Sequence, residues 1–579
     1  MIDCAIPLSA KFRLLVLADP GGIIAKFVLS SLADLSAVPL SSCNGSLNSS
    51  LHQEKTMRTL DNCHRLIDSK CNSMFASHFS TWMICIMFCV PPCTWGQTKV
   101  TTWHYNNART SANTSEKILT PANVNVKTFG KLFTKPVDGA VVGHPLYLPN
   151  VNIPNKGLHN VVFVATMNDT VYAFDADSGT NSALWKRNLL PSGATAVPVS
   201  IQGCSADTAF TKIGIVSTPV IDPTSNTIYV VTSSYENLKV VHRLHALDVT
   251  TGVSRTASPV VITGSYTRNG ITYHFVDTHQ MNRPGLLLVN GNVYVAFGSP
   301  GCNGHDQGWI MAYNKVSLKP EGAFDDEPGG KFAAIWQKGA GISADLSGRI
   351  YVCTGEGDFL AGVKLSVSVF SLVQSAGTLV LSDWFTPYNW QALSTSDSDL
   401  NTAVVILPTQ SGTHPYEAVA VGKQGTIYLL DRTKLGHICT TCTTKNSNIL
   451  QELPKAVQGT GSPVYWNHAL YFVGGGQAQV YKVSQGLLVR PPRIAYVPGG
   501  GHPVMTSNGT TDGILWGLGS SGVLWAMDAQ TLTVLYRSTQ AANGRDTVPP
   551  LAHFATPIVA DGKVFIGTQN SLVVYGLLP

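Results

Sequence analysis

The sequence is poor in charged residues and has no long apolar run. Only 13% of its 579 residues are Asp, Glu, Lys or Arg, whereas 44% are hydrophobic. This balance excludes a disordered chain and a coiled coil, which are both rich in charge. No run of about 18 apolar residues occurs, so no membrane-spanning helix is predicted. The net charge of +5 is small and dispersed, which argues against nucleic-acid binding.

Several catalytic motifs are also absent. The sequence has no Gly-x-Ser-x-Gly elbow, no His-Glu-x-x-His zinc motif and no Cys-x-x-Cys-His haem-attachment motif. The glycine runs at 474–476 and 499–501 do not precede a predicted helix, so they do not indicate a phosphate-binding loop. These absences exclude several enzyme classes and identify none.

Residues 1–96 differ from the rest of the chain. They hold seven of the twelve cysteines and match none of the later repeats. The apolar run 82–90 is followed by two prolines and by small residues three and one positions before Gln97, a pattern typical of a signal peptide cleaved near 96/97. We therefore expect a non-globular N-terminal region and a secreted or periplasmic protein. A short buried strand or helix at 82–90 is the alternative.

From residue 137 onward one unit recurs along the chain. Each unit has a strand rich in β-branched and aromatic residues and a strand that ends in a turn residue, as in 161–166 and 171–175. Most units open on a residue–Pro step, namely at His144, Thr218, Arg283, Ser462, His502 and Thr556. The spacing predicts an all-β, eight-bladed propeller over 137–579. A seven-bladed ring is the alternative, since the fourth and fifth units lack the step.

The last unit has no fourth strand of its own. The stretch 129–134 lies before the first unit and can supply that strand. We therefore expect residues 97–136 to form an N-terminal segment whose strand completes the last blade and closes the ring.

Several stretches resemble a known superfamily. They are WHYNNARTSAN at 103–113, LTPANV at 119–124, RLHALDVTTG at 243–252, WFTPYN at 384–389 and GTIYLLDR at 425–432. With the repeats, they resemble the quinoprotein alcohol dehydrogenase-like propellers, the PQQ-like repeat proteins, and within them an exported bacterial group. The resemblance covers about residues 97–579.

In the dehydrogenases of that superfamily, the resemblance implies a quinone on the propeller axis, a calcium ion held by Glu and Asn oxygens, and an Asp as base. Glu356 occupies the Thr-Gly-Asn step as Thr354-Gly355-Glu356 and is the calcium candidate. The strand at 366–370, where the base is expected, offers Val367 and no carboxylate. We therefore assign no catalytic residue, and keep PQQ and calcium as possible cofactors.

The residues before the prolines are expected to converge on the central channel. His144, Arg283 and His502 would make it positively charged, with Thr218, Ser462 and Thr556 between them and Lys423 joining from the fifth unit. Arg283, Lys423 and Glu356 are the cofactor-binding candidates in such a channel, which would favour an anionic ligand. The alternative is that these side chains cap neighbouring strands.

His437, Cys439 and Cys442 offer zinc-ligand types, but only three of them. A disulfide between Cys439 and Cys442 is the favoured interpretation in an oxidising compartment. The first functional hypothesis is a monomeric module that binds an unidentified protein or small molecule. A PQQ- and calcium-dependent dehydrogenase of alcohols or sugars is the second, and a scaffold for envelope protein assembly is the third.

Overall fold

The computed structural model describes residues 97–202, 212–298, 307–400, 402–459, 461–519 and 521–579. It also describes an antiparallel hairpin of strands Leu14–Asp19 and Gly22–Phe27, which belongs to a separate N-terminal unit, Met1–Cys93. The predicted signal peptide at 82–90, with its cleavage point at 96/97, lies outside the described residues and stays a prediction. No helix of the described chain is long and apolar enough to cross a membrane.

Residues 129–579 form a ring of eight antiparallel blades, so the predicted all-β propeller is confirmed with eight blades and not seven. In each unit, the predicted strand rich in β-branched and aromatic residues, such as 161–166, becomes the second strand of a blade. Blades 1 and 2 consist of strands Leu146–Ile153, Gly157–Ala165, Thr170–Asp175 and Trp185–Asn188, then Val220–Asp222, Thr227–Glu236, Lys239–Asp248 and Val260–Val261. Blades 3 and 4 consist of strands Leu287–Val289, Asn292–Phe297, Trp309–Asn314 and Pro320–Asp325, then Ser343–Ala344, Ile350–Cys353, Val369–Ser375 and Thr378–Thr386.

The remaining four blades follow the same order. Blades 5 and 6 consist of strands Val405–Ile406, Glu417–Val421, Ile427–Asp431 and Gln451–Leu453, then Val464–Trp466, Ala469–Gly474, Gln477–Ser484 and Arg493–Tyr496. Blade 7 consists of strands Val504–Asn508, Thr511–Leu518, Leu524–Asp528 and Val534–Arg537. Blade 8 consists of strands Ile558–Ala560, Lys563–Gly567, Ser571–Leu577 and, from the N-terminal side, Phe129–Pro136.

Short elements connect or extend the blades. The helices are Val199–Gln202 and Trp390–Thr395, and the 3₁₀ turns are Asp277–His279, Gln337–Gly339 and Ala542–Gly544. The additional strands are Ala112–Asn113, Thr195–Pro198, Lys212–Ile213, Ser265–Arg268, Ile271–His274, Phe359–Leu360, Lys364–Leu365, His437–Ile438 and Leu487–Leu488.

The ring closes as predicted, because strand Phe129–Pro136 pairs antiparallel with Ser571–Leu577. Phe129 is fully buried, and its ring packs against Tyr536 of blade 7 with centroids 4.9 Å apart and against Trp516 at 5.5 Å. The closing strand is thus held by the sheet of blade 8 and by the aromatic layer that blade 8 shares with blade 7.

The segment 98–113, here called the plug, bonds to the first strand of every blade. Its carbonyl groups accept from backbone N–H groups of blades 1, 2, 4, 5, 6 and 7 at 2.8–2.9 Å, namely those of Tyr147, Ile221, Ala344, Ile406, Tyr465 and Met505. Its Asn107 and Asn113 side chains donate to Leu288 O of blade 3 and Val559 O of blade 8 at 2.8 and 3.1 Å. The inner edge of each blade, which would otherwise be unpaired, therefore finds partners on one segment.

Arg109 makes the most extensive side-chain contacts of the plug and is fully buried. Its guanidinium donates to Ile342 O of the segment entering blade 4 at 2.6 and 2.9 Å and to Leu286 O before blade 3 at 3.4 Å. It also donates to Trp103 O at 2.8 Å within the plug. Burial lowers the pKa of Arg109 to about 9. Arg109 thus fastens the plug to two neighbouring blades without a carboxylate partner among these contacts.

We expect Arg109→Met to lower the free energy of unfolding by about 3–5 kcal/mol, because hydrogen bonds to a charged group are worth about 1.5–3 kcal/mol each and the carbonyls would be left buried without a donor. Urea unfolding of the full chain measures this change. Arg537→Met is the matched control. Arg537 is an exposed residue on the outer strand of blade 7, so this change should alter stability by about 0.5 kcal/mol or less. Equal unfolding midpoints for the two variants would contradict the role given to Arg109.

Candidate functional site

The six residue–Pro steps meet around the axis of the ring. The repeat pattern had placed the residue before each proline on the first strand of its blade. In the structure these residues lie just before the first strands, because proline cannot donate to the ladder that begins after it. All six step residues are at most 5% exposed: His144, Thr218, Arg283, Ser462, His502 and Thr556. The structure thus brings together the set that the sequence predicted for the channel.

Two step histidines surround an aromatic pair from the plug. The His104 ring stacks on Trp103 with centroids 3.4 Å apart and an interplanar angle of 8°. His144 and His502 lie 5.5 and 5.9 Å from His104, measured between ring centroids, and His502 meets Trp103 edge-on at 5.4 Å. The axis is therefore filled at this level by four rings.

Hydrogen bonds between the steps join neighbouring blades. The His144 N–H donates to Thr218 Oγ1 at 2.8 Å, and His144 Nε2 lies 3.3 Å from Pro557 O. The Ser462 N–H donates to His502 Nδ1 at 3.0 Å, and Ser462 Oγ accepts from the Ala403 N–H at 2.9 Å. These contacts support the alternative in which the step side chains cap their neighbours.

The charge of the channel differs from the sequence-based expectation. Burial lowers the pKa of His144 to about 3 and of His502 to about 3, and it lowers that of His104 well below its ordinary value. These imidazoles are neutral at pH 7. The step residue that carries positive charge is therefore Arg283.

Arg283 lies between two aromatic rings. Its guanidinium carbon is 4.8 Å from the Phe554 ring centroid and 5.4 Å from that of Trp336. Such cation–π contacts stabilise a desolvated cation. Gly339 faces it with a φ of +79°, and a Cβ there would come within 2.9 Å of Arg283 Nη1. Only glycine fits this close approach.

A cavity of about 450 Å³ opens beside these residues. Lys338, His502, His553 and Phe554 line it, and much of the remaining wall is glycine backbone. The walls are close-packed, because a Cβ at Gly461 would lie 2.1 Å from Gly501 O. This axial cavity therefore presents cationic, aromatic and backbone groups to a small molecule, within the usual size range of ligand pockets.

Three carboxylates converge next to the fifth blade. Glu356 follows strand Ile350–Cys353, whereas Asp397 and Asp399 follow the helix Trp390–Thr395. Each offers an oxygen atom within 4.8 Å of the others, and among the described residues this is the one such group of possible metal ligands. Glu356, Asp397 and Asp399 are called the carboxylate cluster below.

Lys423 pairs with the cluster. Its Nζ lies 2.8 Å from Asp399 Oδ1 and also contacts Asp397 Oδ1, and its backbone N–H donates to Asp399 O at 2.9 Å. Burial raises the pKa of Asp399 to about 7, although the charge of Lys423 opposes this. Burial lowers the pKa of Lys423, but Asp399 and Asp397 raise it more.

One residue, Lys338, lines the cavity and also interacts electrostatically with the carboxylate cluster. Lys338 lines the cavity, and its pKa is lowered by burial and by the charge of Lys423 and raised by Asp399. A ligand in the cavity would therefore lie within the field of the cluster.

Glu356 and Lys423 were identified from the sequence, but the two aspartates were missed. The sequence located the missing base at Val367, which is fully buried in the core of blades 4 and 5. The nearby carboxylates come instead from the Ser-Asp-Ser-Asp run at 396–399. Two aspartates separated by one serine, shortly after the WFTPYN stretch at 384–389, were the signal available.

Cys439 and Cys442 are bonded to each other. Neither sulfur is thus a free thiolate ligand for zinc. His437 instead stacks on Trp384 with centroids 4.6 Å apart, and its Nε2 lies 3.0 Å from Asp383 Oδ1. Cys353 is a buried free thiol, and Cys204 and Cys302 lie outside the described residues.

No protein-family model and no curated protein matches the chain. Solved structures do match it. The quinohemoprotein alcohol dehydrogenase from Comamonas testosteroni aligns with a TM-score of 0.57 and 13% identity, covering 84% of this chain and 81% of that chain.

Two further dehydrogenases align with a TM-score of 0.54 and 13% identity. The quinohemoprotein alcohol dehydrogenase ADHIIG from Pseudomonas putida HK5 covers 83% of this chain and 80% of its own. A europium-containing methanol dehydrogenase covers 82% of this chain and 98% of its own. The chain has the propeller fold of the quinoprotein alcohol dehydrogenases. The resemblance expected from the sequence therefore extends to the whole eight-bladed fold.

The neutral histidines predict a pH-dependent effect of His144→Gln. The pKa of His144 is about 3 in the folded chain against 6.5 for the free side chain, so only the unfolded state takes up a proton between these values. Stability from this residue is therefore present above pH 6.5 and is lost as the pH falls toward 3.

Between pH 7.5 and pH 5.0, the wild type should lose about 2 kcal/mol relative to His144→Gln, which cannot protonate. Urea unfolding of both proteins at the two pH values measures the difference. An identical gap at both values would show that His144 is not held neutral.

Proposed function

We propose that the protein is a ligand-binding propeller that holds a divalent cation at the carboxylate cluster and an anionic small molecule in the axial cavity. The observation that carries this proposal is Lys338, which lines a cavity large enough for a small molecule and is within electrostatic range of Lys423 and of Asp399 in the cluster. Asp397 and Asp399 both pair with Lys423, and the Glu356 carboxylate lies within reach of both. The surplus negative charge favours a cation.

The donor set indicates the kind of cation. Glu356, Asp397 and Asp399 offer only oxygen atoms, which suit hard ions such as calcium. Asp397 is exposed and Glu356 is half-buried, so one side of the cluster is open to solvent. One of the aligned structures is that of a europium-containing methanol dehydrogenase, and europium is another hard cation.

Calcium binding is expected to weaken at least about tenfold in Glu356→Gln and in Asp399→Asn, because each loses one anionic ligand. Isothermal titration calorimetry of the full chain measures it. Asp358→Asn is the matched control, since Asp358 is an exposed neighbour that pairs with Lys364. Equal affinities for the wild type and Glu356→Gln would remove the cation from the proposal.

PQQ is the anionic ligand that the fold makes the first candidate. An acidic aromatic quinone fits a cavity of this size, with Lys338 for its carboxylates and Phe554 for its ring. Among the described lining residues, Phe554, His502 and His553 carry the flat rings on which a quinone would stack. Each of these rings is smaller than the indole of a tryptophan.

PQQ should quench tryptophan fluorescence saturably, more tightly with calcium than without it. Lys338→Met should weaken this binding at least about tenfold, because a half-buried cation is lost from the cavity wall. Lys331→Met removes an exposed lysine that does not line the cavity and should bind as the wild type does. Absence of saturation in the wild type would exclude PQQ and leave other anions to be screened.

A PQQ-dependent dehydrogenase is the second candidate, and Asp399 is the observation that favours it. Bound PQQ would supply a two-electron acceptor. Asp399 is buried, and its charge reaches Lys338, which lines the cavity. Without a bound cation, burial raises the pKa of Asp399 to about 7, a value suited to taking a hydroxyl proton. Lys423 would hold the carboxylate in place. Dye-linked oxidation of alcohols and sugars by the PQQ- and calcium-loaded chain tests this activity. At calcium concentrations that saturate each variant, Asp399→Asn should abolish it, whereas Glu356→Gln, which loses a calcium ligand but keeps this base, should retain it.

A further inference from the structure

A Cys-x-x-Cys disulfide lies on a surface loop after strand His437–Ile438. The Cys439 and Cys442 sulfurs are bonded, both residues are partly exposed, and the intervening threonines are exposed. The bond closes a loop of only four residues, the kind for which a cross-link restrains the unfolded chain least. Its contribution to stability is therefore smaller than that of a disulfide that closes a long loop.

The loop has anchors that do not depend on the disulfide. His437 stacks on Trp384 and pairs with Asp383, whose other oxygen accepts from the Leu435 N–H at 2.7 Å. The buried Asn446 accepts from the Tyr388 N–H at 2.8 Å and donates to Glu452 at 3.0 Å. Opening the S–S bond would thus leave both ends of the loop in place.

Hydrogen-bond donors converge on one of the two sulfurs. The Ser447 N–H points to Cys442 Sγ at 3.4 Å, and Ser447 Oγ lies 3.3 Å from the same atom. Among the described residues, Cys439 Sγ contacts only the more distant Ser447 and Thr441 hydroxyls, at 3.7 and 3.8 Å. Negative charge is therefore better stabilised on Cys442 than on Cys439, which makes Cys442 the better leaving group.

We propose that Cys439–Cys442 is a thiol–disulfide exchange site whose reductant is a dithiol. A donor thiolate attacks Cys439 Sγ, the S–S bond breaks, and Cys442 leaves as the thiolate. The donor's second thiol then attacks the mixed disulfide and releases Cys439. Two electrons and two protons pass to the loop, and the donor ends as a disulfide. The site is independent of the axial cavity and of the ligand proposed for it.

The test is native reduction of the full chain by dithiothreitol, followed by iodoacetamide trapping and peptide mass spectrometry. Cys439 and Cys442 should become alkylated while the buried Cys353 stays unmodified and the circular dichroism spectrum is unchanged. Transfer to oxidised glutathione should restore the disulfide. Labelling that appears only together with Cys353, as the fold is lost, would show a purely structural bond and overturn the proposal.

Variants assign the two sulfurs. Ser447→Ala should slow reduction several-fold, because the leaving thiolate loses a donor, whereas Thr444→Ala in the same loop should not. With single cysteines, Cys442 in Cys439→Ser should react faster with iodoacetamide at pH 7 than Cys439 in Cys442→Ser. Equal rates in all these comparisons would refute an exchange site built around Cys442.

Discussion

The structure depends on satisfying the inner edges of eight blades. Each blade presents the free edge of its first strand toward the axis, and buried backbone groups without partners are costly. The plug at 98–113 meets this requirement by bonding to all eight first strands, and Arg109 fastens it between blades 3 and 4. The closing strand Phe129–Pro136 joins blade 8 on the opposite, outer edge. The N-terminal part of the propeller therefore occupies the centre of the ring and also closes the ring through blade 8.

The plug also determines what remains available for a ligand. Trp103 and His104 occupy the axis together with His144 and His502, and burial keeps the histidines neutral. Space for a ligand remains in the cavity lined by glycine backbone and Lys338. Lys338 supplies a cation to the cavity wall, the three acids meet near Lys423, and the stacked rings carry no charge.

The position of the residue–Pro steps could be predicted from the sequence, but the charge of their side chains could not. Proline marks the start of a first strand, so the step residues were placed at the channel from sequence alone. Their neutral state was not, because it depends on how completely the surrounding blades exclude water. Arg283 remains a cation there because guanidinium keeps its proton at neutral pH, and its group packs against Phe554 and Trp336.

The sequence by itself determined the all-β class, the eight blades and the closing strand, since a period of two and turn residues are local properties that recur in every unit. It also identified Glu356 and Lys423. Only the tertiary structure decided that Asp397 and Asp399 join them and that the plug reaches every blade. Those contacts join residues from different blades and from the loops between them, and no spacing along the chain specifies which loops the closure of the ring brings together.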